Sequence, residues 1–131
     1  MVVHGVMFRT DQLDGFVLVE QGQWVGLTTF FISGTGCEII SLNSLKEGRG
    51  IASRLIEEVI EVAREGKCKR VSLSTTNDNL HALGFYQKRG FELAAIRRGA
   101  ITEARKSKPQ IPLTGFDNIP IRDEIELEIL L

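Results

Sequence analysis

A strand, an amphipathic helix and a second strand follow one another between residues 37 and 76, and this succession constrains the fold most strongly. The segment "CEIISLNSL" has the β-branched content of a strand. From about Gly50 to Glu65, apolar residues recur at helical spacing, and Gly66 is placed to end the helix. "KRVSLSTT" then alternates like a strand. A strand–helix–strand unit of this length predicts a parallel pair of strands joined by a crossover helix.

The flanking segments predict antiparallel strands and two shorter helices around this parallel pair. "GFVLVEQGQWVGLTTFFIS" divides into two strands at "EQGQ", and short connections predict a meander with the strand that follows. "NDNLHALGFYQKRG" predicts a helix with an Asn or Asp N-cap and Gly90 as its stop. "FELAAIRR" and "EIELEILL" predict strands, with one or two helical turns in "ITEARKSK" between them. The predicted fold class is α/β with mixed α+β character, mostly antiparallel with one central parallel pair.

Length, charge and cysteine content narrow the functional class. The 131 residues suit one domain covering 1–131, and the formal net charge of −1 gives no general attraction to nucleic acid or to anionic membranes. No apolar run is long enough to span a bilayer, and the start lacks the pattern of a signal peptide, so a cytoplasmic location is expected. Cys37 and Cys68 form no metal-binding pattern, and we expect reduced thiols and no metal site.

The glycines of "EGRGIASRL" stand directly before the crossover helix. The first amides of a helix lack intrahelical partners and attract anions, and Gly48 and Gly50 remove Cβ atoms that would keep a phosphate away from the backbone. No lysine followed by Ser or Thr ends the turn, so it is not a P-loop, and the dinucleotide pattern would require glycine where Ser53 stands. Taken alone, the segment fits a plain turn or a phosphate-binding turn.

Two linked segments resemble the GNAT superfamily of acyl-CoA-dependent N-acetyltransferases. The first is "EGRGIA", similar to the family pattern Gln/Arg-x-x-Gly-x-Gly/Ala at the start of the central helix. The second is "NLHALGFYQKRGF", similar to Asn-x-x-Ala-x-x-Phe-Tyr-x-Lys-x-Gly-Phe. The strand order agrees as well, so the resemblance covers about Gly15 to the C-terminus. The longer phrases "TTNDNLHALGFYQKRGF" and "IPIRDEIELE" resemble a bacterial branch of small, uncharacterised members.

This resemblance implies a GNAT fold whose central parallel strands splay around acetyl-CoA, and it assigns residues to the cofactor. Backbone groups of Leu42, Asn43 and Ser44 would hold the pantetheine arm like an added strand. The helix N-terminus would take the pyrophosphate, and Asn79 would bond near the thioester. The implied cofactor-binding residues are Leu42, Asn43, Ser44, Gly48, Arg49, Gly50, Ile51, Ala52, Ser53, Asn79 and Ala82.

The implied reaction is transfer of the acetyl group to a primary amine of a small molecule or peptide, by direct attack and without a metal. Tyr86 matches the family's general-acid position. A phenol suits that role because it stays protonated at neutral pH and can donate to the departing thiolate. Packing on the sheet is its alternative role. Glu38 matches the position of a general base, and alternation places it on one strand face with Ile40, Leu42 and Ser44. A solvated glutamate is an equal alternative there, and Phe85 is interpreted as core.

Two departures from the family pattern leave the function open to a second interpretation. Glu47 puts a negative charge beside the proposed pyrophosphate site. Only Met1 to Asp14 precede the first predicted strand, where the family usually has a strand and two helices that shape the acceptor pocket. We therefore expect exposed core that a homodimer would cover. The alternative function is a non-catalytic acyl-CoA-binding or regulatory module, and the sequence does not identify the amine.

Overall fold

The computed structural model describes residues 3–10, 12–46, 48 and 50–131. Within these residues, seven strands form one mixed sheet in the order β1-β2-β3-β4-β5-β7-β6, and three α-helices accompany them. The strands are β1 (Val3–Arg9), β2 (Asp14–Glu20), β3 (Gln23–Ser33), β4 (Gly36–Ser44), β5 (Arg70–Thr76), β6 (Glu92–Arg97) and β7 (Glu124–Leu130). The helices are α1 (Ile51–Glu65), α2 (Leu80–Lys88) and α3 (Ala100–Ser107), with a short 3₁₀ turn at Phe116–Asn118.

The chain forms two compact units. The first comprises the residues up to Ser72 together with Leu130–Leu131, and the second runs from Leu73 to Ile129.

The first unit contains the predicted meander and the parallel crossover. Strands β1 to β4 pair antiparallel in sequence order, and β4 pairs parallel with β5. Strand β1 was not predicted, because the leader was interpreted without structure. In the structure, Phe8 on β1 packs over Gly15 on β2, where an added Cβ atom would lie only 2.0 Å from the Phe8 ring. The glycine thus makes room for an aromatic side chain from the neighbouring strand.

Helix α1 packs its apolar face against this sheet and confirms the helix predicted from periodicity. It runs from Ile51 to Glu65 with the predicted Gly66 as its C-cap, whose amide donates to the Val62 carbonyl at 3.0 Å. The left-handed conformation that follows is adopted by Lys67, with a φ of 60°. Gly26 on β3 permits the close approach, since a Cβ there would lie 2.5 Å from Cγ2 of Ile51. The core of this contact consists of Phe16, Leu18, Val25, Ile51 and Leu55, with Leu42 packed against it.

The second unit places α2 and α3 beside an antiparallel pair. Strands β6 and β7 pair from Glu92 with Glu128 to Arg97 with Glu124. The predicted N-cap of α2 is confirmed, because Asn79 accepts a hydrogen bond from the Ala82 amide at 3.1 Å. Gly90 follows α2 with a φ of 97°, a left-handed conformation that suits glycine and ends the helix.

Candidate active site

Strand β4 carries a bulge that redirects the predicted site residues. Phe30 on β3 pairs with Ile39, but the next pair joins Thr29 to Ser41, so Ile40 is an extra residue on β4. The alternation of side chains between the two faces of β4 therefore shifts by one residue after Ile40. The prediction that Glu38 shares a face with Leu42 and Ser44 is wrong for this reason.

The register defines the two faces of β4 instead. Glu38, Ser41 and Asn43 pair with alternate residues of β3 and lie on one face, together with the partly exposed Thr29. Leu42 and Ser44 pair with Thr28 and Gly26 on the other face, which is the face that α1 covers. Glu38 itself is exposed.

Hydrogen bonds from β3 hold the bulge in place. The hydroxyl of Thr28, which is fully buried, donates to the Ser41 carbonyl at 2.7 Å. The hydroxyls of Thr29 and Ser41 lie 2.6 Å apart on the opposite face. The Ser41 carbonyl, directly after the bulge, thus accepts a partly buried hydrogen bond from the β3 side chain of Thr28.

Beyond Glu38, β4 has a strand edge that the first unit does not use. The parallel ladder with β5 covers only three pairs, from Gly36–Arg70 to Glu38–Ser72. On its β3 side, β4 remains paired as far as Ser44. Among the described residues of the first unit, no strand pairs with the other edge from Ile39 to Ser44, which includes the predicted Leu42, Asn43 and Ser44. Such an edge offers backbone N–H and C=O groups to an extended ligand.

The turn that enters α1 has the conformation that glycine permits. Gly48 and Gly50 have φ angles of 73° and 70°, and nothing lies within 4 Å of the Cβ position of either. Arg49, a predicted cofactor-binding residue, lies outside the described residues, as does Glu47. Lys46 anchors the start of this turn, because its Nζ lies 3.2 Å from Oε1 of the buried Glu20.

The N-terminus of α1 follows this turn and has no competing side-chain cap. Gly50 is the N-cap, and the amide of Arg54 makes the first helical bond to its carbonyl at 3.0 Å. No acidic residue lies in the first turn. Ile51 is buried, whereas Ala52 and Ser53 are partly exposed. The helix dipole and leading amides therefore produce a local positive potential at the start of α1, a few residues after β4 ends.

The remaining predicted residues lie in the second unit, at α2. The side-chain oxygen of Asn79 is engaged by the Ala82 amide, which leaves the Asn79 side-chain NH₂ as the donor for a ligand. The Ala82 amide is consumed in this cap, so only its methyl group remains for contact. The structure confirms the predicted cap, and the ligand contact of Asn79 stays a prediction.

Tyr86 lies one helical turn along α2 within an aromatic cluster. Its ring contacts Phe85 edge-on at 5.6 Å between centroids and the buried Phe91 at 6.0 Å. Burial raises the pKa of Tyr86 above the ordinary tyrosine value. Phe85 is only partly buried, which corrects its interpretation as core: the Arg89 guanidinium lies 3.5 Å from its ring centroid and covers it.

Asp78 is buried and accepts hydrogen bonds from two segments, a role that the sequence pattern did not predict. Its carboxylate accepts hydrogen bonds from the Thr76 hydroxyl and from the Phe116 amide at 3.0 Å. Burial would raise its pKa, but these hydrogen bonds outweigh burial and lower it. Gly115 leaves room for the carboxylate, since a Cβ there would lie 2.0 Å from Oδ2. Asp78 thus ties the loop before α2 to a segment nearly forty residues later.

Both cysteines are free and buried. Burial and the neighbouring Cys68 and Asp14 raise the pKa of Cys37 to about 12. A thiol with such a pKa is a poor nucleophile at neutral pH. In the described ranges, no three His, Cys, Asp or Glu side chains form a metal-binding group, and no helix has the length and apolarity needed to cross a membrane.

Comparison with known proteins identifies the family to which these elements belong. The sequence model of the acetyltransferase (GNAT) family matches residues 4–91, about two thirds of the chain. The chain belongs to the GNAT acetyltransferase family. The matched region contains both the glycine turn before α1 and the α2 segment, as the two motifs predicted.

Relatives and solved structures agree with this assignment. Two uncharacterised proteins of Bacillus subtilis, YdhI and YxbD, are each 47% identical to this GNAT chain, over 126 and 128 residues. These matches cover 95% and 97% of the chain and 79% and 80% of the relatives. A B. subtilis acetyltransferase in complex with CoA has a TM-score of 0.86 at 15% identity, with 99% of each chain covered. A GNAT acetyltransferase from Elizabethkingia anophelis with acetyl-CoA bound has a TM-score of 0.80 at 20% identity, covering 92% of this chain and 77% of that one. The two structures show that the GNAT fold is shared.

Proposed function

We propose that this protein transfers the acetyl group of acetyl-CoA to the primary amine of a small molecule or peptide. The observation that carries the proposal is the β4 edge that no described strand of the first unit occupies, which leads into the glycine turn and the start of α1, where no side chain caps the helix. An extended pantetheine arm fits a strand edge, and a pyrophosphate fits a helix N-terminus preceded by glycines. Bound acetyl-CoA supplies an activated acetyl group as a thioester.

The first unit supplies binding and a base in this proposal. Backbone groups of Leu42, Asn43 and Ser44 hold the pantetheine arm, and an N–H of this edge polarises the thioester carbonyl. Glu38 lies on the face of β4 that α1 does not cover, exposed to an incoming amine. Its carboxylate removes the proton that an alkylammonium must lose before the amine can attack.

The second unit supplies the acid. The raised pKa of Tyr86 keeps its phenol protonated throughout the neutral range, so the proton is available for a departing thiolate, whose parent thiol has a pKa near 8.5. The Asn79 side-chain NH₂, left over from the helix cap, hydrogen-bonds the cofactor near its thioester. The cysteines take no part, since the buried, protonated Cys37 thiol is a poor nucleophile. We also propose a cytoplasmic location, which suits two free cysteines.

A thiol-release assay with acetyl-CoA and a panel of primary amines tests this function. The wild type should release CoA only when a suitable amine is present. Tyr86→Phe should lower kcat more than tenfold, because general acid catalysis contributes about 10²–10⁴-fold, while the Kd for acetyl-CoA changes little. Lys88→Ala, an exposed change on the same helix, is the matched control.

Two outcomes would contradict the assignment. Tight acetyl-CoA binding with no turnover on any amine would show a binding module and not an enzyme. An unchanged kcat in Tyr86→Phe would remove the acid role and leave the tyrosine as packing. Glu38→Gln separates the remaining roles, since a base loses the acidic limb of the pH–rate profile and a solvated glutamate does not.

A further inference from the structure

The second unit contains a polar pocket that the proposed reaction does not yet use. The pocket is open to solvent, measures about 630 Å³, and is lined by Arg98, Gly99, Thr102, Arg122 and Asp123. It lies between the end of β6, the start of α3 and the residues before β7. The lining contains two arginines and one aspartate, so it carries a net positive charge.

The backbone of Arg122 and Asp123, which forms the pocket floor, makes hydrogen bonds to two other segments of the unit. The side-chain oxygen of Asn77 accepts hydrogen bonds from the amides of Arg122 and Asp123, both at 2.9 Å. From α3, the Ile101 amide donates to the Arg122 carbonyl at 2.9 Å. The Gly99, Ile101 and Thr102 amides are thus engaged within the protein, and the arginine side chains supply positive charge to the pocket lining.

The ion pairs around the pocket involve its other charged residues and not Arg98. Arg97, its neighbour in sequence, is paired with Glu124 and Glu126 on β7. Asp123 accepts the Gly99 amide at 2.8 Å and lies 4.0 Å from Nε of Arg122. Across the part of the chain that the structure describes, Arg98 has no carboxylate partner. A planar guanidinium without a partner is suited to bidentate bonding with a carboxylate or phosphate.

The same loop connects the pocket to the residue assigned to the thioester. Asn77, which holds the pocket floor, stands two residues before Asn79. The backbone that lines the pocket is thus hydrogen-bonded to the loop that carries Asn79. An amine acceptor that also carries an oxyanion has the two charges that this arrangement recognises.

We infer that the Arg98–Arg122 pocket binds an oxyanion, a carboxylate or phosphate, on the amine acceptor, which makes the preferred substrates anionic amines. This inference rests on the proposed function for its acceptor role. The anion-binding property itself does not depend on turnover and is measured separately.

Matched amine pairs test the acceptor role. Thiol release is measured with propylamine against β-alanine, and with ethanolamine against phosphoethanolamine, in the wild type and in Arg98→Ala/Arg122→Ala. The wild type should favour the anionic member of at least one pair, which also tells carboxylate from phosphate. The double variant should lose about tenfold to a hundredfold in kcat/KM for that member, the range for removing charged hydrogen bonds, and stay within about twofold for the member that lacks an oxyanion. Lys106→Ala, an exposed cation of α3 outside the pocket lining, should change neither.

A binding experiment keeps the inference falsifiable if no amine is acetylated. Calorimetric titration with inorganic phosphate and with acetate should show binding to the wild type and to Lys106→Ala, and loss of that binding in the double variant. Loss would support the oxyanion pocket even where the proposed reaction fails. Equal binding in wild type and double variant would overturn the inference, and so would an equal loss of kcat/KM for both members of each pair. A weakened Kd for acetyl-CoA in the double variant would assign the pocket to the cofactor and overturn its acceptor role.

Discussion

Replacing Thr28 with valine tests whether the β4 bulge shapes the cofactor edge. The substitution preserves side-chain shape at a fully buried position and removes the hydroxyl that donates to the Ser41 carbonyl at 2.7 Å. Leaving a buried acceptor without a partner costs about 1–3 kcal/mol. Part of this cost can be avoided only if β4 moves so that the Ser41 carbonyl finds another donor, and that movement would displace Leu42, Asn43 and Ser44.

The expected result is a loss of stability together with a loss of cofactor affinity. Urea unfolding should show about 1–3 kcal/mol lower stability for Thr28→Val. Calorimetry should show a Kd for acetyl-CoA raised about fivefold or more, which corresponds to about 1 kcal/mol of displaced edge contacts. Thr28→Ser is the matched control, because it keeps the hydroxyl and loses one methyl group, worth about 0.8 kcal/mol of burial. Its Kd should stay within about twofold of wild type.

Either of two results would refute this reasoning. An unchanged Kd in a destabilised Thr28→Val would show that the bulge contributes to folding and not to the cofactor edge. A Thr28→Ser variant that binds acetyl-CoA as weakly as Thr28→Val would show that packing of the methyl group, and not the hydrogen bond, controls the edge.

Three further predictions concern other parts of the two units. Gly50→Glu should abolish acetyl-CoA binding in a calorimetric titration, because it places a negative charge in the turn. Gly50→Asn, which tolerates a φ of 70°, should retain measurable affinity. Retained affinity in Gly50→Glu would place the phosphates elsewhere. Cys37, with a pKa of about 12, should react with iodoacetamide at pH 8 about a thousandfold more slowly than an ordinary thiol, and fast labelling followed by mass spectrometry would contradict its burial. The lowered pKa of Asp78 stabilises the fold above the ordinary value of 3.8, and this contribution is lost as the pH falls from there through the lowered pKa. Asp78→Asn should therefore cost about 1–3 kcal/mol at pH 7 and progressively less as the pH is lowered below 3.8; a cost that does not change with pH would refute the charge argument.

Local patterns in the sequence predicted the elements whose stability is decided nearby. The apolar spacing of α1, its stop at Gly66 and the N-cap at Asn79 each depend on residues within a few positions, and all three are confirmed. The parallel crossover also followed from segment order alone. The family resemblance then added roles that no periodicity contains, and these roles await the experiments above.

Features that depend on two distant segments could not be predicted in the same way. The bulge at Ile40 is a mismatch between the registers of β3 and β4, so counting alternate residues along β4 placed Glu38 on the wrong face. The role of Asp78 depends on space left by Gly115 and on an amide at Phe116. Neither partner is marked by any pattern around Asp78 itself.

Two-substrate initial-rate kinetics tests the central claim most directly. Acetyl-CoA and an amine that the panel identifies are varied together, and CoA release is followed. Direct transfer within one ternary complex predicts double-reciprocal lines that intersect, with a rate that vanishes when the amine is omitted. Parallel lines would indicate an acetylated enzyme intermediate and contradict direct attack. Release of CoA at the same rate with and without amine would contradict amine acetylation altogether.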